Sequence, residues 1–372
     1  MVRERNDMII SRTPFRISFF GGGTDYPAWY RQHGGAVLAA TINKYCYLTC
    51  RYLPPFLEHR IRVVYSRIEH CQSVDEIVHP SVRESLRFLK VDRGIEIHHA
   101  ADLPGRSGMG SSSAFTVGLL HALYALKGRV AGKKQLAREG IHVEQDRLKE
   151  TVGSQDQVCA AYGGLNRINF LQNGDFSVQP MTLSQSRVRE LNSNLMLFYT
   201  GIKRTASEVA SSYGTADAVD QRANLLNRMR EYVEQGAEIL NSRQDLRMFG
   251  ELLHDNWLAK RELSHKVSNP QIDGLYDRGR AAGAIGGKLL GAGAGGFLLL
   301  FVPPDRQAAV RSEFESLIHV PFKFEFAGSQ IIFFDHEEDF TKHDKARASQ
   351  KLDAFRESNA DAAAPHMPPS DE

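Results

Sequence analysis

The chain has 372 residues, 42% hydrophobic and 24% charged, with a net charge of +2, which suits a globular protein with room for two domains. So little net charge argues against nucleic acid or an anionic membrane as the main partner. The longest apolar run, residues 297–302, suits a buried strand and falls far short of a membrane span, and the charged N-terminus has no signal-type apolar segment, so a cytoplasmic location is expected.

Residues 9–20 read as a strand broken at Pro14. The strand runs into Gly21-Gly22-Gly23-Thr24-Asp25, where backbone can approach a ligand and a carboxylate is presented. Asp25 is either a cap for the turn that follows or a group that accepts hydrogen bonds from hydroxyls. Residues 35–42, 44–50 and 60–65 read as further strands, and 73–90 as a helix with Val82, Leu86 and Leu89 on one face. Cys46, Cys50, Cys71 and Cys159 lack Cys or His partners at zinc spacing and read as reduced core thiols.

The stretch with the most chemistry is Pro104-Gly105-Arg106-Ser107-Gly108-Met109-Gly110-Ser111-Ser112-Ser113. It joins an Ile-rich strand at 94–100 to an apolar helix at 115–126. A Gly/Ser loop that opens a helix offers free N–H groups, and the positive end of the helix dipole favours an anion such as a nucleotide triphosphate. Gly105 and Gly110 have the separation of a Walker A loop, but Ser111 stands where that loop has lysine. The phosphate charge must then be met by Mg2+, backbone N–H groups and basic residues from elsewhere.

Residues 133–150 read as a second helix carrying Glu144, and 165–171 as a strand. Between them Asp156 sits among Gln155, Gln157 and glycines, as a loop cap or as a base in a site; the segment does not decide. A strand at 195–199 ends at Thr200-Gly201, followed by Lys203 and Arg204. Helical patterns cover 216–241, 245–265 and 272–282. Gly291, Gly293 and Gly296 formally match a dinucleotide fingerprint, but they lead into a strand at 297–302 where the fingerprint should open a helix, so a glycine turn between two strands is predicted. A helix at 305–317 and strands at 322–326 and 330–334 are expected to close the second half, and the Ala/Pro/acid-rich tail at 345–372 is expected to be disordered. The mixture of strands and helices in each half predicts an α+β fold.

Three glycine loops in this order resemble the motifs of the GHMP small-molecule kinases: Pro14-Phe15-Arg16-Ile17 with 21–25, then 104–114, then 288–296. The second departs from the family pattern by Met109 in place of Leu. The resemblance spans most of 9–335 and implies a ribosomal-S5-like N-terminal domain over 8–188, a ferredoxin-like C-terminal domain over 189–340, and a cleft between them for ATP and substrate. Arg-Ile-Ser-Phe at 16–19, Gly-Gly-Gly-Thr-Asp at 21–25, Gly34-Gly35 and 41–45 resemble the heptose 7-phosphate kinase branch. Galactokinases carry Glu-His where this chain has Gly22 and Gly23.

The resemblance implies a sugar kinase that phosphorylates the anomeric hydroxyl of D-glycero-α-D-manno-heptose 7-phosphate to the 1,7-bisphosphate, serving nucleotide-activated heptose synthesis. Asp156 is then the general base, with Arg16 orienting it and stabilising charge. Residues 104–113 hold ATP, and Ser112 with Glu144 holds Mg2+. Gly22, Gly23, Thr24, Asp25 and Gly164 line the acceptor. Lys203 and Arg204 are either the seat of the substrate phosphate or a solvated basic pair. The expected partner is a small-molecule sugar phosphate, with oligomeric state open and a homodimer among the options. Alternatives are another sugar 1-kinase with a fucose-like acceptor, or a catalytically silent sensor, against which the intact Arg16, Ser112, Glu144 and Asp156 argue.

Overall fold

The computed structural model describes residues 6–53, 57, 59–105, 107–202 and 222–337. Arg106, Lys203, Arg204 and the tail at 345–372 lie outside them. Two long antiparallel strands, β1 (Asn6–Phe20) and β2 (Gly35–Tyr52), form the spine of the first half. Pro14 does not end β1. The pairing register shifts between Pro14 and Phe15, a bulge that accommodates a residue with no N–H to donate. The two strands expected at 35–42 and 44–50 are one, because β1 pairs along both parts of β2, while the other edge of each part takes its own partner. Gly35 to Ala40 pairs with β6 (Leu165–Phe170), and Cys46 to Tyr52 with β5 (Ile95–Ala101).

The sheet runs β13-β1-β2-β5-β3-β4, where β13 is Gln330–Glu337, β3 is Ile61–Val64 and β4 is Ile68–Cys71, and β7 (Phe176–Pro180) pairs with β6. The helix expected at 73–90 begins as a short 3-10 turn and becomes regular only in α2 (Pro80–Leu89), after α1 (Pro27–His33) earlier in the chain. Helix α3 (Ser111–Leu126) lies on β1 and β2 and is buried nearly all round, as its apolar sequence requires. The Ser11 hydroxyl donates to the Gly118 carbonyl at 2.9 Å, fixing α3 to β1. Helices α4 (Lys133–Ile141), α5 (Gln155–Tyr162) and α6 (Gln185–Ser193) complete this half. All four cysteines are free and buried.

The second half has a sheet in the order β11-β8-β10-β9: Ile318–His319, Leu195–Tyr199, Phe297–Phe301 and Gly286–Leu289. Helices α7 (Ala223–Asn241), α8 (Arg247–Leu263), α9 (Pro270–Ala281) and α10 (Gln307–Glu313) belong with it. Strands β9 and β10 are antiparallel with the glycine turn between them, as predicted. The end of β1 drives Phe19 and Phe20 into this half, edge-on against Phe249 at 5.4 and 5.1 Å.

The expectation that 322–334 closes the second half is corrected. β12 (Phe324–Glu325) pairs with β2, and β13 (Gln330–Glu337) pairs with β1. The chain returns to its first sheet because β1 there has a free edge with backbone groups to satisfy. Among the described residues no helix is long and apolar enough to cross a membrane.

Candidate active site

Three loops converge where the halves meet. The loop at 107–110 ends at Gly110, whose φ of +72° turns the chain into α3. Its companion from the second half approaches very closely: a Cβ on Gly291 would lie 2.4 Å from the Gly108 Cα, so only glycine permits the contact. The Ser107 hydroxyl donates to the Pro104 carbonyl at 2.6 Å and closes the turn, while Gly105 faces open space. Met109 points into the core, fully buried, so only its backbone faces the loop. That is why a Leu-to-Met exchange is tolerated.

Arg16 sits in β1 beneath this loop. Its backbone N–H donates to the Met109 carbonyl at 3.1 Å and its Nη1 to the Gly108 carbonyl at 2.6 Å. Nε and Nη2 donate to Asp156 Oδ1 and Oδ2 at 2.7 and 2.8 Å, a two-bond fork. Burial opposes the charge on Arg16, but the adjoining Asp156 carboxylate raises its pKa above the ordinary value. Asp156 lies in the first turn of α5 rather than in a loop, with its side chain 24% exposed. It therefore keeps lone pairs for a ligand while Arg16 holds it.

Glu144 is brought in by a π-helical turn, residues 142–147, that continues α4 where a regular helix to 150 was expected. The wider turn, closed by the Leu148 N–H on the Val143 carbonyl at 2.9 Å, directs Glu144 inward. Glu144 Oε2 accepts from Ser113 Oγ at 2.8 Å and from Gln157 Nε2, while Oε1 is buried without a partner. Burial raises this carboxyl to about 7, against the bond from Ser113. The serine that bonds Glu144 directly is Ser113, next to the Ser112 expected to share Mg2+ with it. Successive helical residues are rotated by about 100°, so Ser113 points inward to Glu144 and Ser112 outward to solvent. A buried carboxylate with one oxygen lacking a partner, beside serine hydroxyls and a phosphate loop, is a donor set that fits Mg2+.

Asp25 is buried and accepts from the Gly23 N–H at 2.9 Å and the Gln155 N–H at 3.4 Å. Burial raises its carboxyl above the ordinary value, with Asp156 adding to the effect. Thr24 and Gly164 do not present groups to a ligand. The Thr24 hydroxyl is engaged with the Gly21 and Ala36 backbone. The Gly164 N–H is held by Thr41 Oγ1 and the Glu325 carbonyl, and its carbonyl takes the Thr41 N–H.

Beside Gly22 the structure exposes two groups that sequence reading missed. A Cβ there would stand 3.7 Å from both Gln155 Nε2 and Ser18 Oγ. Ser18 Oγ and Gln155 Oε1 are buried without a partner. Lys260 and Lys288 are also buried close by. Lys288 Nζ donates to the Phe19 carbonyl at 2.8 Å, and burial followed by the neighbouring Lys260 push its pKa well down. The signal for Lys260 was legible: a lysine at an apolar-face position of the helix read at 245–265.

A glycine loop at a helix N-terminus, a carboxylate held by arginine, and a second buried carboxylate are the parts a small-molecule kinase site needs, here on an α+β fold. The chain matches the GHMP kinases N-terminal domain over residues 77–164 and the GHMP kinases C-terminal domain over 229–319. It is 27% identical over 311 residues to D-glycero-α-D-manno-heptose 7-phosphate kinase of Campylobacter jejuni, covering 80% of this chain and 91% of that one. It is 30% identical over 252 residues to mevalonate kinase of Methanothermobacter thermautotrophicus, covering 61% and 74%. A crystal structure of a D-glycero-D-manno-heptose 1-phosphate kinase from Bacteroides thetaiotaomicron shares the fold, with a TM-score of 0.72 at 22% identity over 89% of this chain and 100% of that one. The chain belongs to the GHMP kinase family: it is a phosphotransferase with an alcohol acceptor, and ATP is the donor that family implies.

Proposed function

We propose that this kinase transfers the γ-phosphoryl group of ATP to the anomeric hydroxyl of a heptose 7-phosphate, D-glycero-α-D-manno-heptose 7-phosphate or a close relative, giving the 1,7-bisphosphate for nucleotide-activated heptose synthesis. The observation that carries a polyol acceptor is the floor at Gly22. Ser18 Oγ and Gln155 Oε1 lie buried and without partners there, next to Asp25. Unpartnered buried polar groups are costly, and sugar hydroxyls would satisfy them. The heptose assignment is supported by similarity across nearly the whole Campylobacter relative.

In this reading Asp156 takes the proton of the attacking hydroxyl as the acceptor oxygen–phosphorus bond forms and the bond to ADP breaks. Arg16 orients Asp156 through the two-bond fork. The backbone of 105–113 receives the nucleotide phosphates, with the α3 N-terminus favouring their charge. Glu144 and the hydroxyls of Ser112 and Ser113 would hold Mg2+, which would supply neutralisation of the phosphate charge when bound. Asp25, Ser18 and Gln155 bind the sugar. Lys203 and Arg204 remain the proposed seat of the 7-phosphate, outside the described residues.

The test is an ADP-release assay over free and phosphorylated hexoses and heptoses, with the product position read by phosphorus NMR. Heptose 7-phosphate should exceed free heptose in kcat/KM by about a hundredfold or more, because charge-assisted bonds to the phosphate are worth a few kcal/mol. Equal use of the free sugar would overturn the assignment and favour a fucose-like acceptor.

A further inference from the structure

We propose that Lys260 contacts the transferring phosphoryl group and takes the place of the Walker lysine, which the phosphate loop lacks. In this chain Ser111 replaces the lysine of a Walker loop. Arg16 has three of its five N–H donors engaged, two with Asp156 and one with the Gly108 carbonyl, and its charge is paired with the Asp156 carboxylate. A γ-phosphoryl group in transfer carries charge on three equatorial oxygens and needs a cation beyond the metal.

The position of Lys260 follows from α8. Its buried face includes Phe249, Leu253, Asn256, Lys260 and Leu263. Asn256, one turn earlier, donates to the Phe19 carbonyl at 3.3 Å, and Leu263 Cδ1 would lie 3.7 Å from a Cβ on Gly23. This face therefore packs on the acceptor loop. Lys260 Nζ reaches across to the Gly291 carbonyl, and Gly291 is the residue pressed against Gly108. The ammonium thus sits where the acceptor loop and the phosphate loop meet, which is where the phosphoryl group must pass.

An ammonium has three N–H donors. Among the described residues, Lys260 Nζ has one hydrogen-bond partner, the Gly291 carbonyl, and the residue is 3% exposed. A buried cation with unused donors is costly unless an anion arrives. Burial, and then the nearby Arg16, lower its pKa to about 8, while Asp25 and Asp156 pull the other way. Phosphoryl oxygens supply both the acceptors and the charge. Lys260 keeps its proton throughout; the acceptor proton goes to Asp156.

The inference rests on phosphoryl transfer at this site and is indifferent to the acceptor, so its failure can be told from failure of the heptose assignment. The test is calorimetric binding of ADP and of β,γ-imido-ATP, each with Mg2+, to the full chain and to Lys260→Met, Lys260→Gln and Lys260→Arg. In Lys260→Met, ADP should bind as in the unmodified protein and the imido analogue about tenfold more weakly, with kcat down about a hundredfold. Lys260→Arg should recover part of both. If the methionine variant does not fold, the glutamine variant is read by the same ADP-to-analogue ratio. Parallel loss of both nucleotides, or an unchanged ratio with unchanged kcat, would overturn the proposal.

Discussion

Arg16 and Asp156 stand 140 residues apart in the chain and are joined by two parallel hydrogen bonds of 2.7 and 2.8 Å. Arg16 is 5% exposed at its side chain and Asp156 24%, so the two ends of the fork differ in access to water. Asp156→Asn should lower kcat by about a hundredfold to ten-thousandfold. It should also lower Tm, because it leaves a buried guanidinium without its counter-charge. Adding Arg16→Met should recover Tm and leave kcat low. If the double variant is less stable than Asp156→Asn alone, the fork is not what sets the cost.

Glu144 has its carboxyl raised by burial from an ordinary 4.5 to about 7. The fold therefore favours its protonated form. This group contributes stability below pH 4.5, and that contribution is lost as pH rises through about 7. In metal-free buffer, Glu144→Gln should flatten the decline in Tm across this interval. Mg2+ competes with the same proton, so its apparent affinity should weaken about tenfold per pH unit below 7 in the unmodified protein. A stability difference between the two proteins that does not change with pH would show that Glu144 is ionised throughout.

Ser112 and Ser113 can be separated by two readouts. Ser113→Ala removes a 2.8 Å bond to a buried carboxylate and should cost about 1–3 kcal/mol in urea unfolding. Ser112→Ala lies on the exposed side of α3 and should leave stability within about 0.5 kcal/mol. A rise in the Mg2+ requirement for kinase activity then identifies whichever hydroxyl meets the metal.

Gly291→Ala places a methyl group 2.4 Å from the Gly108 Cα at a residue with φ of +74°. It should separate the two loops, raise KM for ATP about tenfold and lower Tm. Gly105→Ala is the control for stability, since a Cβ there meets nothing within 4 Å. Equal Tm values for the two variants would show that the loop contact is not under constraint.

Much of this protein was written in its local sequence. The strand before residue 20, the apolar helix from 115, and the glycine turn between 289 and 297 all formed, with the break read at Pro14 reduced to a bulge, because periodicity and backbone freedom act over a few residues. The three glycine loops were legible for the same reason: close backbone approach needs glycine wherever it occurs. Tertiary structure decided what depends on distant partners. Strand β13 joined β1 rather than the second half because an open sheet edge, more than 300 residues earlier, had backbone groups to satisfy. Asp156, undecided between cap and base, became half of a fork only when β1 placed Arg16 beside it. A π turn and a one-residue step in helix phase put Ser113, not Ser112, on Glu144. Lys260 stands at an apolar-face position of its helix, but only the packing of α8 against the loop at 19–25 closes over its charge. Burial and charge pairing are properties of the packed whole, so no window of neighbouring residues contains them.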